Sequence, residues 1–139
     1  LDQAVAEGAT VLVGGEQHGV MFEPTLLEQV SPTSEIYQNE AFGPVAILEP
    51  YEQFEQGIER INQSRFGLQA GVYTQNLQQM LYAWDQLHVG GVIINDIPSF
   101  RVDNMPYGGV KDSGLGREGI QSAIRDMQEE RLLVIHQPG

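Results

Sequence analysis

The chain has 139 residues, no cysteine, and 19 acidic against 7 basic side chains, a formal charge of −12. One ordinary domain fits this length, scaling allows about two thirds of the extended surface to be buried, and 41% apolar residues in periodic segments exclude a disordered chain. Without cysteine there is no disulfide, thiolate metal site or thiol nucleophile, and with a single lysine, Lys111, there is no basic footprint for nucleic acid or an anionic membrane.

Leu1, Ala4 and Val5 have helical spacing, as though the chain opened within a helix that began earlier. Ala9 to Val13 is a strand ended by Gly14 and Gly15, and Phe22 to Val30 holds a second that starts at Pro24, a residue tolerable only at a strand's start or edge. Ser31 to Phe42 has no clear period and reads as loop, with a helical turn near Glu35. Val45 to Leu48 is a buried strand, and Glu52 to Gln63 sets Phe54, Ile58 and Ile61 on one helical face. Gln69 to Thr74 is a strand; Asn76 caps a helix whose stripe is Leu77, Met80, Leu81, Trp84 and Leu87; Val92 to Asn95 follows as another buried strand. The alternation from Val45 to Asn95 predicts a βαβαβ run in one parallel α/β sheet.

Asp96 to Gly116 is a long loop rich in Gly, Pro and Asp, of the kind that carries function. Ile120, Ala123, Ile124 and Met127 mark a helix, and Arg131 to His136 a terminal strand too apolar for an exposed edge. No run approaches a bilayer span, and no basic start leads into an apolar stretch, so a cytoplasmic protein with no membrane partner is expected.

Gly114-Leu115-Gly116-Arg117-Glu118-Gly119 spells G-x-G-x-x-G, but no buried strand directly precedes it and the chain reaches Gly139 without a following βαβ unit. It reads as a glycine-rich turn entering a helix near Arg117 and Glu118. His18, His88 and His136 are scattered, no two within a helical turn, so no metal site is expected. A more specific signal is distributed. Glu40-Ala41-Phe42-Gly43-Pro44-Val45 sets a carboxylate and a ring at the mouth of a strand, where ligand-binding loops of α/β sheets gather. Asn62-Gln63-Ser64-Arg65-Phe66-Gly67-Leu68, Val92-Ile93-Ile94-Asn95 and the block from Pro106 to Gly119 follow in order.

These four ordered blocks resemble the C-terminal part of the aldehyde dehydrogenase superfamily, over nearly the whole chain from about Gly8 to Ile135. The resemblance implies an NAD- or NADP-dependent oxidation of an aldehyde through a cysteine thioester, hydrolysed by a glutamate-activated water. It implies that Glu40 accepts hydrogen bonds from the ribose diol beside nicotinamide, and that Phe42 packs at the nicotinamide end. Two acceptor oxygens match two vicinal hydroxyls, and a flat ring limits where the nicotinamide lies.

The nucleophile and the general base belong to the family's preceding part, so the chain is expected to be a fragment, inactive alone, that packs on the missing N-terminal part of the same enzyme. Residues 1–116 then belong to the catalytic α/β domain, 117–128 to a helix, and 129–139 to an oligomerisation strand and tail that makes a homodimer or homotetramer. The loop Asp96 to Tyr107 corresponds to the substrate mouth, with Phe100 and Tyr107 as apolar walls. Arg101, the loop's one cation, is placed to hold an anionic or polar group of a small aldehyde such as lactaldehyde or a semialdehyde, or else to pair with Asp96 or Asp103. A catalytically inactive binding or assembly module with the same fold is the alternative.

Overall fold

The computed structural model describes residues 1–137 and 139, and the chain divides into two units, Leu1–Gly57 and Ile58–Gly139. The first runs α1 (Asp2–Ala6), β1 (Thr10–Val13), β2 (Gln17–His18), β3 (Met21–Phe22), β4 (Thr25–Glu28), α2 (Glu35–Gln38) and β5 (Val45–Leu48). β4 is central in a three-stranded sheet, antiparallel to β1 and parallel to β5 from Thr25↔Val45 to Glu28↔Leu48. Leu27, with no exposed surface, meets Ala4, Ala9 and Val30, and Ile36, Tyr37, Val45 and Ile47 close round them. Thr25 is buried beside it with its hydroxyl satisfied twice, accepting from the Gly15 N–H at 2.9 Å and donating to the Glu23 carbonyl at 2.8 Å. This avoids the roughly 1–3 kcal/mol that an unpaired buried polar group costs. Gly14 turns the chain here at φ 72°, and a Cβ on it would run into the Pro24 carbonyl.

The strand expected within Phe22 to Val30, starting at Pro24, is β4, and Phe22 before it belongs to a separate strand. β3 pairs with β2 in a hairpin, the chain breaks at Glu23 and Pro24, and β4 begins at Thr25. Proline has no N–H for the ladder, so pairing ends on one side of it and restarts on the other.

α3 (Phe54–Gln63) leads on to β6 (Phe66–Gly67), β7 (Gln69–Val72), α4 (Leu77–Gln86), β8 (Gly91–Ile94), β9 (Val110–Lys111) and α5 (Ile120–Asp126). β7-α4-β8 is a parallel βαβ unit, in register from Gln69↔Gly91 to Val72↔Ile94. Asn76 caps α4, its Oδ1 accepting from the Gln78 N–H at 2.9 Å. The mixed α/β fold with parallel strands is as expected, but the run from Val45 to Asn95 does not form one sheet: β5 pairs with β4, and β7 with β8, in separate sheets. Alternation of elements fixes strand direction but leaves open which strands become neighbours.

One further expectation is corrected. Of the α4 stripe only Leu87 is buried, next to Ala83, while Leu77, Leu81 and Trp84 are 65%, 57% and 72% exposed. The helix seats its small alanine face on the sheet and leaves the large side chains outward, so far less apolar surface is buried than the chain's size allows. Residues 131–136, expected to pair as a strand with another subunit, pair with nothing among the described residues of this chain, and Leu132, Leu133, Val134 and Ile135 lie open to solvent. A strand exists only against a hydrogen-bonded partner, and none of the described residues supplies one. No helix among the described residues is long and apolar enough to cross a membrane.

Candidate functional site

The first group of predicted site residues stands between α2 and β5. Asn39 ends α2, and two tight turns follow, with the Gly43 N–H on the Ala41 carbonyl and the Val45 N–H on the Gly43 carbonyl, each at 2.9 Å. The Pro44 carbonyl accepts from the Thr25 N–H at 2.8 Å, which pins the loop to the start of β4. Glu40 and Phe42 therefore project from an anchored turn. Both line a cavity of about 640 Å³ that Gln17, Ser34, Asn39 and Val45 also border. Phe42 is 96% exposed, and the Glu40 carboxylate has no hydrogen-bonding partner among the described residues. The turn lies at the amino end of β5, whereas ligands of open parallel sheets gather at carboxyl ends, so the strand-end rule does not carry this assignment. What the turn presents to the cavity is two free acceptor oxygens and an open ring face.

The second group lies in the loop after β8. Asn95 closes that strand at φ 59°, a left-handed conformation asparagine tolerates, and its Oδ1 accepts from the Thr74 N–H at 2.9 Å. Further on, Arg101 lies with its guanidinium carbon 4.6 Å from the centre of the Tyr107 ring, and its Nη2 donates to Glu118 Oε2 at 3.0 Å. Tyr107 is half-buried and bridges backbone to backbone with Glu118, so ring, guanidinium and carboxylate form one cluster. The ion pair expected with Asp96 or Asp103 goes to Glu118 instead; Asp96 Oδ1 accepts from the Ile97 N–H. Phe100 is 48% exposed, and its carbonyl accepts from Gln69 Nε2 at 3.1 Å.

The Asn62 and Pro106 to Gly119 blocks are joined in the same unit. Asn62 Nδ2 donates to the Gln86 carbonyl and its Oδ1 accepts from the His88 N–H, both at 2.7 Å. Lys111 Nζ donates to the Asn62 and Ser64 carbonyls at 2.9 Å, ending α3 with a cation where the helix dipole is negative. Ser113 Oγ accepts from the Gly67 N–H, and Arg117 Nη1 donates to the Gly109 and Gly116 carbonyls. The G-x-G-x-x-G letters lie in this turn, and α5 starts only at Ile120. Gly119 is at φ 115°, and a Cβ there would stand 2.8 Å from the Met105 carbonyl oxygen, so that glycine serves close backbone packing.

Glu40 and Phe42 thus share one cavity, and Arg101 and Tyr107 share one cluster, each within its own unit. Sequence reading missed Glu118 as the partner of Arg101, because only folding joins residues 17 positions apart. It also missed a convergence of Glu16, His18 and Glu23 on the β2-β3 hairpin, whose signal was an acid and a histidine two apart facing an acid across a short turn.

The fold and the ordered blocks are those of the aldehyde dehydrogenases. The aldehyde dehydrogenase family model matches residues 1–133, and the chain belongs to that family. It is 50% identical over 135 residues to the sulfoacetaldehyde dehydrogenase of Neptuniibacter caesariensis, covering 97% of this chain and 30% of that protein. Among solved structures, aldehyde dehydrogenase 21 from Physcomitrella patens, in complex with the reaction product succinate, superimposes with a TM-score of 0.92 and 43% identity over 96% of this chain and 28% of that one. The glyceraldehyde-3-phosphate dehydrogenase GapN of Methanocaldococcus jannaschii, complexed with NADP, gives a TM-score of 0.81 and 40% identity over 91% of this chain and 27% of that one. The chain spans less than a third of the length of each of these relatives.

Proposed function

We propose that this chain is the C-terminal part of an NAD(P)-dependent aldehyde dehydrogenase that oxidises a small aldehyde bearing an anionic group to its carboxylic acid. The observation that carries the reading is Arg101, spread on the Tyr107 ring and steadied by Glu118 in the loop that corresponds to the family's substrate mouth. Its guanidinium is about half exposed, and an exposed ion pair is worth only about 0–1 kcal/mol, so a substrate anion can share or replace Glu118 at little cost. The relatives support this: they are named for a sulfonated aldehyde, a phosphorylated aldehyde and, by its product, a carboxylated one.

On the cofactor side, Glu40 offers both carboxylate oxygens to the ribose diol, and Phe42 limits the tilt of the nicotinamide. NAD or NADP, when bound, supplies the hydride acceptor. Phe100 and Tyr107 give the aldehyde's carbon chain an apolar wall, and Arg101 sets which end enters first. With no cysteine here, the sulfur that forms the thioester and the glutamate that activates water belong to the remaining length of the protein, and this chain alone turns over no aldehyde. Residues 129–139 serve as an arm that finds its strand partner in another subunit of a homodimer or homotetramer.

The test compares aldehydes on the intact enzyme by following NAD(P)H formation. Arg101→Ala raises KM for sulfonated, carboxylated or phosphorylated aldehydes by about tenfold or more, as loss of a charge-assisted contact implies, leaves alkyl aldehydes unaffected, and is partly rescued by Arg101→Lys. An enzyme that prefers long alkyl aldehydes, with KM unchanged in Arg101→Ala, overturns the reading.

A further inference from the structure

The hairpin β2-β3 carries a cluster that the aldehyde chemistry leaves unused. Gln17 pairs with Phe22 and His18 with Met21, and the Glu23 N–H donates to the Glu16 carbonyl at 3.0 Å, extending the pairing by one residue. The two-residue turn is set by Gly19 at φ 65°, the positive angle that hairpin turns of this length require, and Gln17 Nε2 braces it on the Gly19 carbonyl at 2.9 Å. Alternate strand residues share a face, so Glu16 and His18 point the same way, and Glu23, opposite Glu16, joins them. His18 Nε2 lies 3.6 Å from Glu16 Oε2 and 3.4 Å from Glu23 Oε1, and all three ligand atoms fall within 4.8 Å of one another.

We propose that Glu16, His18 and Glu23 form a binding site for one divalent transition-metal ion of the zinc type. A tetrahedral ion with bonds of about 2.0–2.2 Å spaces its ligand atoms about 3.3–3.6 Å apart, and the two distances from the imidazole are already of that size. Two like charges directly across a strand pair repel, here in a chain of net charge −12, and a dication turns that repulsion into attraction. One imidazole nitrogen with two carboxylate oxygens suits zinc and its neighbours rather than Ca²⁺ or Mg²⁺, which prefer oxygen alone. The side chains are 58%, 74% and 42% exposed for His18, Glu16 and Glu23, so the remaining coordination position is open to water and the ion exchanges freely. The site uses no residue to which a part in aldehyde oxidation is given, and it stands or falls apart from that reading.

Calorimetric titration of ZnCl₂ into the full chain, in a chelator-free buffer, tests it. One ion binds per chain, and affinity falls more than about tenfold, the scale at which metal sites respond even to indirect lesions, in both His18→Ala and the double variant Glu16→Gln/Glu23→Gln. His88→Ala leaves binding unchanged, and a large excess of Ca²⁺ does not displace the zinc. No zinc uptake, or uptake that His18→Ala leaves intact, overturns the proposal and reduces the cluster to an ion pair between His18 and its two carboxylates. Should His18→Ala lose its fold by circular dichroism, the double variant decides, since it keeps the ring and the hairpin backbone; unchanged affinity there is equally fatal.

Discussion

In the first unit the sheet closes on an apolar side chain, Leu27, buried among Ala4, Ala9 and Val30. In the second, polar side chains reaching backbone groups hold the end of α3: Asn62 ties it to the turn after α4, and Lys111 and Ser113 tie the segment from Tyr107 to Gly119 to it and to β6, while Arg117 braces that segment on its own carbonyls. The two devices fail differently. A packed site forgives a change of shape that keeps volume, whereas a side chain that both donates and accepts can be replaced by nothing that lacks either function.

The sharpest way to break this contrast is at Leu27. Leu27→Ala is expected to cost about 2–5 kcal/mol in urea unfolding, while Leu27→Met costs less than about 1.5 kcal/mol. Equal losses from both would mean that volume is not what holds the sheet. Next comes Asn62→Ala, which strips the partners of the Gln86 carbonyl and the His88 N–H together and is expected to cost about 1–3 kcal/mol. Its amide hydrogen exchange should quicken at His88 before the sheet of the first unit responds. Smallest is Leu81→Gln with Trp84→Gln, on the open face of α4: stability should move by no more than about 1 kcal/mol. A larger loss would show that this face is covered in solution.

Much of the chain from α3 to β8 was legible because its signals are local. Asn76 announces a cap by its own side chain, and the spacing of Phe54, Ile58 and Ile61 marks α3 without reference to the rest of the chain. The errors fall where a distant partner decides. The partner of β5 is β4, joined to it through α2 and the Glu40 turn, which no local pattern in Val45 to Leu48 names. The hairpin escaped notice because two-residue strands carry no period. The site was readable in the same uneven way. Glu40, Phe42 and Tyr107 are marked by ordered blocks, but the hold that Glu118 takes on Arg101 depends on a backbone bridge that sequence does not announce.

The single lysine has a consequence for anyone who handles this chain chemically. Its amine is committed to two carbonyls at the close of α3, so acylating it would swap a cation that neutralises a helix terminus for a neutral amide with one donor. Labelling or cross-linking through Lys111 therefore does not leave a silent mark: the tag itself loosens the junction between α3 and the glycine-rich turn, and any conformational readout taken from it reports the damage along with the motion.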